Sequence, residues 1–316
     1  MSAPVKLTAF AAVLAVLFGG GALAGAAIGP APDEPDTSAD SHGAEPADGA
    51  HAESETAEPE AGHGDDGGHA AEGGAAPAPV RGLGVAEGGL RVVVADPELR
   101  RGRTERLAFR IVDAAGKTVR DYDVEHTKRM HLIIARRDLT GFQHLHPRQT
   151  ADGTWTTRVR LDEAGSYRLF ADFSHKGEAR TLATDLRVDG AADLQPLPAA
   201  RPAAVSDGGY DVRLDPGTVK PGKEADLRFT ITKDGAPVHT EEYLGAGGHL
   251  VALREGDLAY LHVHPTEDHA DDAAADEHDD SIGFAATFPT EGRYRLFLQF
   301  QHEGRVHTVA FTQEVK

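Results

Sequence analysis

The chain carries a stretch of about 105 residues twice, and this duplication limits its fold more than any other feature. Both copies open with a strand-like segment, at 90–95 and 210–214, and continue with a second alternating segment, at 106–112 and 226–232. Period-two alternation with turn residues roughly every eight to twelve positions is typical of an all-β sandwich. We therefore expect two similar β-sandwich domains in tandem.

A short signature in both copies indicates the type of sandwich. Glu-Ala-Gly-Ser-Tyr at 163–167 is matched by Thr-Glu-Gly-Arg-Tyr at 290–294, so a glycine turn precedes a strand that opens with Tyr167 or Tyr294. This pattern resembles the tyrosine corner of immunoglobulin-like sandwiches. We expect Trp155 to pack in the first core.

The sequence predicts five segments. They are a signal peptide or signal-anchor helix (1–29), a disordered acidic linker that contains histidines (30–83), the first sandwich (84–189), a Pro/Ala-rich linker (190–208), and the second sandwich (209–316) with an acidic loop (266–280). The apolar run after Lys6 is long enough to cross a bilayer, which favours an uncleaved single-pass anchor with the domains outside the cytoplasm. Cleavage and secretion is the alternative.

The acidity of the chain is confined to two places. Residues 31–80 hold 13 acidic residues and residues 266–280 hold 8, with no Lys or Arg in either, whereas the whole chain has a net charge of −19. The remaining residues are therefore close to neutral, and nothing indicates nucleic-acid binding. The acidic loop either gathers cations or is simply solvated.

Eight histidines fall into two matched sets. The sets are His131, His144, His146 and His175 in the first copy, and His249, His262, His264 and His302 in the second. The first three positions are related by a shift of 118 residues and the fourth by a shift of 127. The chain has no cysteine, so any metal site must use histidine, carboxylate, backbone oxygen or one of the two methionines.

A hairpin would bring three histidines of each copy together. Residues i and i+2 of a strand share a face, which applies to His144 and His146. In the second copy a four-residue turn at 254–257 would place His249 opposite His262, and the same register in the first copy would place His131 opposite His144. Three imidazoles on neighbouring strands can hold Zn²⁺ or Cu²⁺.

Other interpretations of the histidines remain open. His175 and His302 each follow a later strand and are candidates for a fourth ligand or for the rim of a site. The alternative is that all eight are hydrogen-bonded structural residues that duplication copied. Only the first copy has a methionine, Met130, beside its first histidine, and a thioether would favour Cu(I).

One stretch of the first copy resembles a known group of proteins. Residues 130–147, which end in His-Leu-His-Pro, together with 153–155 and 164–173, are similar to uncharacterised exported actinobacterial proteins. The domain also resembles, more distantly, YtkA-like and CopC-like extracytoplasmic sandwiches, some of which are linked to copper. The resemblance implies a β-sandwich outside the cytoplasm and a role in copper handling.

These observations predict a non-enzymatic, cell-envelope metal-binding protein with one histidine site per domain. Copper(II) is the preferred ion and zinc is next, because all-nitrogen sites bind copper most tightly among the first-row divalent ions. The alternative is an extracytoplasmic interaction or adhesion module with structural histidines. A copper enzyme is the third hypothesis, and the sequence shows no acid–base pair, nucleophile motif or cofactor loop that would support it.

Overall fold

The regular structure of the described residues consists of β-strands. The computed structural model describes residues 80–261, 263–266 and 281–316. The predicted membrane or signal segment (1–29), the acidic linker up to residue 79, His262 and residues 267–280 of the acidic loop lie outside them. The described residues include no helix with the length and apolar character needed to cross a bilayer.

The first sandwich consists of two five-stranded sheets. Its strands are β1 (Ala86–Glu87), β2 (Leu90–Val94), β3 (Glu98–Leu99), β4 (Thr104–Val112), β5 (His131–Arg136), β6 (Gln143–Leu145), β7 (Arg148–Gln149), β8 (Trp155–Arg160), β9 (Gly165–His175) and β10 (Glu178–Val188). The strand order is β1-β2-β4-β8-β7 in one sheet, called the first outer sheet, and β3-β10-β9-β5-β6 in the other, called the first inner sheet.

The second sandwich repeats this plan. Its strands are β11 (Ala203–Val205), β12 (Asp211–Asp215), β13 (Glu224–Lys233), β14 (Ala236–Pro237), β15 (His249–Arg254), β16 (Tyr260–Leu261), β17 (Val263–Pro265), β18 (Ile282–Thr287), β19 (Gly292–His302) and β20 (Arg305–Val315). The second outer sheet has the order β11-β12-β13-β18-β17, with β14 on β13, and the second inner sheet has the order β16-β15-β19-β20.

The immunoglobulin-like character of both sandwiches is confirmed. The hydroxyl of Tyr167 donates a hydrogen bond to the carbonyl of Glu163 at 2.8 Å, and Tyr294 does the same to Thr290 at 2.9 Å. Each is the hydrogen bond of a tyrosine corner, in which a buried phenol ties a strand start to the preceding turn. Trp155 packs in the core between the first outer and inner sheets, as predicted.

The two inner sheets pack against each other. The contact uses the face of each sheet that points away from the core of its own sandwich. The shared apolar cluster includes Ile133 and Phe170 from the first sandwich and Val251, Tyr260 and Phe297 from the second. Burial on both faces explains why all six residues of β5 are buried instead of alternating. The inner sheets therefore form the middle layers of one four-layer structure.

The contacts between the inner sheets are reciprocal. Phe142 stacks on Phe297 with ring centroids 4.0 Å apart, and Tyr260 lies 5.7 Å from Phe170. Phe142 and Tyr260 are equivalent in the two copies, as are Phe170 and Phe297, by the repeat shifts of 118 and 127 residues. Such exchanged contacts define an approximate two-fold axis between the sandwiches.

A segment just before the first sandwich joins the inner sheets. The amide of Gly82 donates to the carbonyl of Thr181 in β10 at 3.2 Å, and the amide of Tyr260 in β16 donates to the carbonyl of Arg81 at 3.0 Å. The sequence places these residues at the end of the acidic linker. Here they hydrogen-bond to both sandwiches.

Candidate metal site

The packing of the inner sheets brings equivalent histidines of the two copies together. His131 begins β5 on the same face as Ile133, and His249 begins β15 on the same face as Val251, since alternate residues of a strand share a face. Both faces point toward the opposite sandwich. The rings of His131 and His249 consequently stack across the interface, 5.5 Å apart and 6° from parallel.

A third histidine completes a compact group. Each of His131, His144 and His249 offers one ring nitrogen, and the three nitrogens lie within 4.8 Å of one another. Nδ1 of His131 is 3.0 Å from Nε2 of His144. The His144 and His249 rings are stacked with centroids 4.7 Å apart. The group thus combines histidines of both sandwiches.

Hydrogen bonds on the far side of two rings fix their tautomers. Nε2 of His131 lies 3.2 Å from the carbonyl oxygen of Glu125, and Nδ1 of His144 lies 2.7 Å from Oε1 of Gln299. Both oxygens only accept, so each of these nitrogens carries the proton. The facing atoms, Nδ1 of His131 and Nε2 of His144, are therefore unprotonated in the neutral rings.

Two further histidines surround this group. The ring of His146 lies 4.7 Å from that of His144 and 5.1 Å from that of His131. His126 lies 5.7 Å from His249, measured between ring centroids. The Nε2 atoms of His146 and His249 are buried without a hydrogen-bond partner. Five imidazoles therefore gather at the interface, and two of them present buried nitrogens without a partner.

The environment keeps these rings neutral. Burial, reinforced by the neighbouring histidines, lowers the pKa values of His144 and His249 well below the usual 6.5. Burial, and to a smaller extent the electrostatic influence of His131 and Lys128, lowers the pKa of His146 to about 4. Burial also lowers the pKa of His131, against the opposing influence of Asp172. Neutral imidazole is the form that binds metal ions.

A family model matches both copies. The family described as "Domain of unknown function (DUF8832)" matches residues 85–190 and again residues 203–316. The chain belongs to this family. No curated protein matches the sequence.

Solved structures resemble this member of the DUF8832 family only distantly. The Escherichia coli adhesin FdeC shares 14% identity over 72% of this chain and 64% of that chain, with a TM-score of 0.24. The Yersinia pseudotuberculosis adhesin InvE shares 12% over 72% and 59%, with a TM-score of 0.23. Salmonella alpha-2-macroglobulin shares 15% over 75% and 15%, with a TM-score of 0.26. This chain spans less than two thirds of each of these proteins, and the likeness concerns the fold alone.

In this DUF8832 chain the predicted triad His131, His144 and His146 comes together, but the register of β5 and β6 differs from the predicted one. β6 pairs with β5 so that His144 lies opposite Ile133, two residues beyond the predicted partner His131. His131 and His144 still share a face, because a shift of two residues preserves the side. His131, His144 and His146 therefore meet at one end of the hairpin.

The second copy does not repeat this arrangement in the described residues. β15 pairs with β16 through Ala252 and Leu261, and the chain then joins the second outer sheet, where His264 is exposed opposite Ala285. His249 instead belongs to the cluster of the first copy, and His262 lies outside the described residues. His249 lies in the shared cluster because the inner sheets pack face to face, and the expected second site, which includes His262, stays a prediction.

The fourth histidines of each set lie elsewhere. His175 ends β9, and its Nδ1 donates to the carbonyl of Asp121 at 2.8 Å. Nδ1 of His302 is 2.9 Å from the hydroxyl of Tyr210. Met130 is 1% exposed and packs within the first core.

Sequence reasoning missed three residues around the cluster. His126 has Leu244 at its equivalent position, so the repeat comparison gave no signal for it. Its φ of 45° places it in a tight turn closed by Glu125 and Lys128. Asp172 and Gln299 pair with His131 and His249 across neighbouring strands. Predicting the pairing of β5 with β9 and of β15 with β19 would have placed Asp172 and Gln299 beside these histidines.

Proposed function

We propose that this protein is a non-enzymatic metal-binding protein of the cell envelope that holds one divalent transition-metal ion between its two sandwiches. His131, His144 and His249 would supply the ligand nitrogens. The observation that carries the proposal is the 3.0 Å approach of Nδ1 of His131 to Nε2 of His144. Copper(II) is the preferred ion and zinc is next.

A cation held by both atoms would account for their close approach. Hydrogen bonds to Glu125 and Gln299 place the ring protons on the opposite nitrogens, so two lone pairs face each other. A shared proton would relieve the repulsion, but burial lowers the pKa values of both rings. A metal ion relieves it without protonation.

The separation of Nδ1 of His131 from Nε2 of His144 suits two ligands of one divalent ion. Nitrogens bound to one ion at about 2.0–2.1 Å lie about 2.8–3.4 Å apart for ligand angles between square-planar and tetrahedral. The observed 3.0 Å falls in this range. Metal-bound histidines usually donate their other ring nitrogen to a carbonyl or carboxylate, as His131 and His144 do here.

The proposed cellular setting rests on sequence features. The apolar N-terminal run with Lys6 on its inner flank would anchor the chain, leaving the sandwiches outside the cytoplasm. The resemblance of the His-Leu-His-Pro stretch to exported proteins, and distantly to copper-linked sandwiches, supports the same compartment and the same metal. The acidic segments, which lie outside the described residues, would concentrate cations near the surface.

An interaction or adhesion module is the second candidate function. Tandem immunoglobulin-like sandwiches suit such a role, and the apolar contacts of Phe142 with Phe297 and of Phe170 with Tyr260 hold the sandwiches together without any ion. The histidines would then be structural. This candidate predicts no tight metal binding.

Calorimetric titration with Cu²⁺ and Zn²⁺ separates the two candidates. The wild-type protein should show one tight binding event, which His144→Ala and His249→Ala should each abolish. His264→Ala is the matched control, because it removes an exposed histidine of the second outer sheet. Equal tight binding by wild type and both cluster variants would overturn the metal site. An absence of tight binding in the wild type would leave the adhesion module as the better function.

A further inference from the structure

The positions opposite the two stacked histidines differ between the copies. Asp172 in β9 pairs with His131, and Gln299 in β19 pairs with His249. The repeat shift of 127 residues makes Asp172 and Gln299 equivalent. Each also forms a hydrogen bond with a threonine of the next strand, Asp172 with Thr181 at 2.7 Å and Gln299 with Thr308 at 3.2 Å. One position thus carries a carboxylate in the first copy and an amide in the second.

Gln299 fixes the orientation of a ligand in the other sandwich. It is 7% exposed, and its Oε1 accepts a hydrogen bond from Nδ1 of His144 at 2.7 Å. Its Nε2 donates to Thr308, which orients the amide so that oxygen faces the imidazole. Gln299 therefore directs the lone pair of His144 Nε2 toward His131.

Asp172 supplies negative charge beside the neutral rings. It is 9% exposed and accepts hydrogen bonds from Thr181 at 2.7 Å and from the hydroxyl of Tyr260 at 3.2 Å. Directly paired residues of antiparallel strands point to the same face, so its carboxylate lies beside His131. A buried charge is costly unless an opposite charge offsets it.

We propose that Gln299 and Asp172 adapt the cluster to a divalent ion, Gln299 as the positioning residue of His144 and Asp172 as the counter-charge. This inference rests on the proposed metal binding. Neutral imidazoles leave the full charge of a dication uncompensated, and Asp172 offsets half of it. A dication also requires the neutral His144 tautomer that Gln299 selects.

Substitutions that keep or remove these roles test the inference. Gln299→Leu should weaken Cu²⁺ and Zn²⁺ affinity about 10–100-fold, as is usual when a hydrogen-bond partner of a metal ligand is lost. Gln299→Glu keeps an acceptor for His144 and should bind at least as tightly as wild type. Asp172→Asn keeps the shape and one acceptor oxygen but removes the charge, and it should weaken binding about tenfold, the lower end of that range.

Matched controls lie close by. Gln301→Leu makes the same change two residues along β19, where Gln301 donates to Glu241 instead. Asp185→Asn removes an exposed carboxylate of β10 that pairs with Arg168. Both controls should bind like wild type. The electron paramagnetic resonance spectrum of bound Cu²⁺ should change in Gln299→Leu and return in Gln299→Glu, which loss of stability alone would not produce.

The outcomes distinguish this inference from the function it rests on. A wild-type protein that binds neither ion overturns both. Tight wild-type binding with equal affinities for Gln299→Leu and Gln301→Leu overturns the role of Gln299. Equal affinities for Asp172→Asn and Asp185→Asn overturn the counter-charge.

Discussion

The imidazoles of His131 and His249 stack 5.5 Å apart and nearly parallel across the interface between the two sandwiches. They occupy the same position of the two copies, so the approximate two-fold axis passes between them. A ligand held here would contact both sandwiches at once. Binding and the docking of the sandwiches should therefore be thermodynamically linked.

Bound metal should raise the melting temperature. An ion present at about 100 times its dissociation constant stabilises the folded state by about 2.7 kcal/mol. For a folded region of this size, that corresponds to a rise of roughly 5–10 °C. Differential scanning fluorimetry with Zn²⁺ or with EDTA measures it. His249→Ala should abolish the rise and His264→Ala should keep it; a rise of equal size in His249→Ala would contradict the linkage.

The metal-free protein should lose stability as the pH falls below 6.5. The pKa of His146 is lowered from 6.5 to about 4, chiefly by burial, and those of His144 and His249 are lowered in the same sense. The unfolded chain therefore binds more protons between pH 6.5 and about 4. Stability is fully present above pH 6.5 and decreases as the pH falls through this window.

Urea unfolding at pH 7.5, 5.5 and 4.5 measures this decrease. His146→Gln removes one titrating group, so its free energy of unfolding should fall less steeply than that of wild type. If His146 is already protonated in the folded state at pH 6, the free energies of unfolding of the two proteins should fall with pH at the same rate. This result would refute the lowered pKa of His146.

Removing one aromatic ring of the interface should weaken docking. Phe297 is 4% exposed and stacks on Phe142 at 4.0 Å. Phe297→Ala should reduce the free energy of unfolding by about 3 kcal/mol, as large cavities in cores do. It should also speed proteolysis of the linker at residues 190–202. Val205→Ala, at a site that is 64% exposed, should change stability by less than about 0.5 kcal/mol. Similar effects of both substitutions would argue against a packed interface.

Gly82→Ala should be more damaging than the same substitution at Gly89. Both glycines have positive φ, +69° and +77°. A Cβ at Gly82 would lie 2.8 Å from Cβ of Tyr260 and 2.9 Å from the ring of Phe170, whereas a Cβ at Gly89 meets no atom within 4 Å. Gly89→Ala should therefore cost only the backbone strain, about 1 kcal/mol. Chemical denaturation compares the two, and equal losses would show that Gly82 does not sit between the sandwiches.

The local architecture of each sandwich is predictable from the sequence. Period-two alternation and the turn residues predicted the sandwiches, and Tyr167 and Tyr294 predicted the tyrosine corners. These signals depend only on neighbours within one strand or turn. The spacing of His144 and His146 likewise predicted a shared end of one hairpin. Strand geometry alone suffices for such inferences.

The set of histidines that forms the cluster depends on how the two sandwiches pack. The unbroken apolar run at residues 132–135 indicates burial on both faces, but it does not name the partner sheet. Packing of the two inner sheets brought His249 to His131 and set Gln299 behind His144. It also places His126 beside His249. The matching position of the second copy is Leu244. These contacts join residues more than a hundred positions apart, so hydrophobic packing between domains decides them, and no local pattern records it.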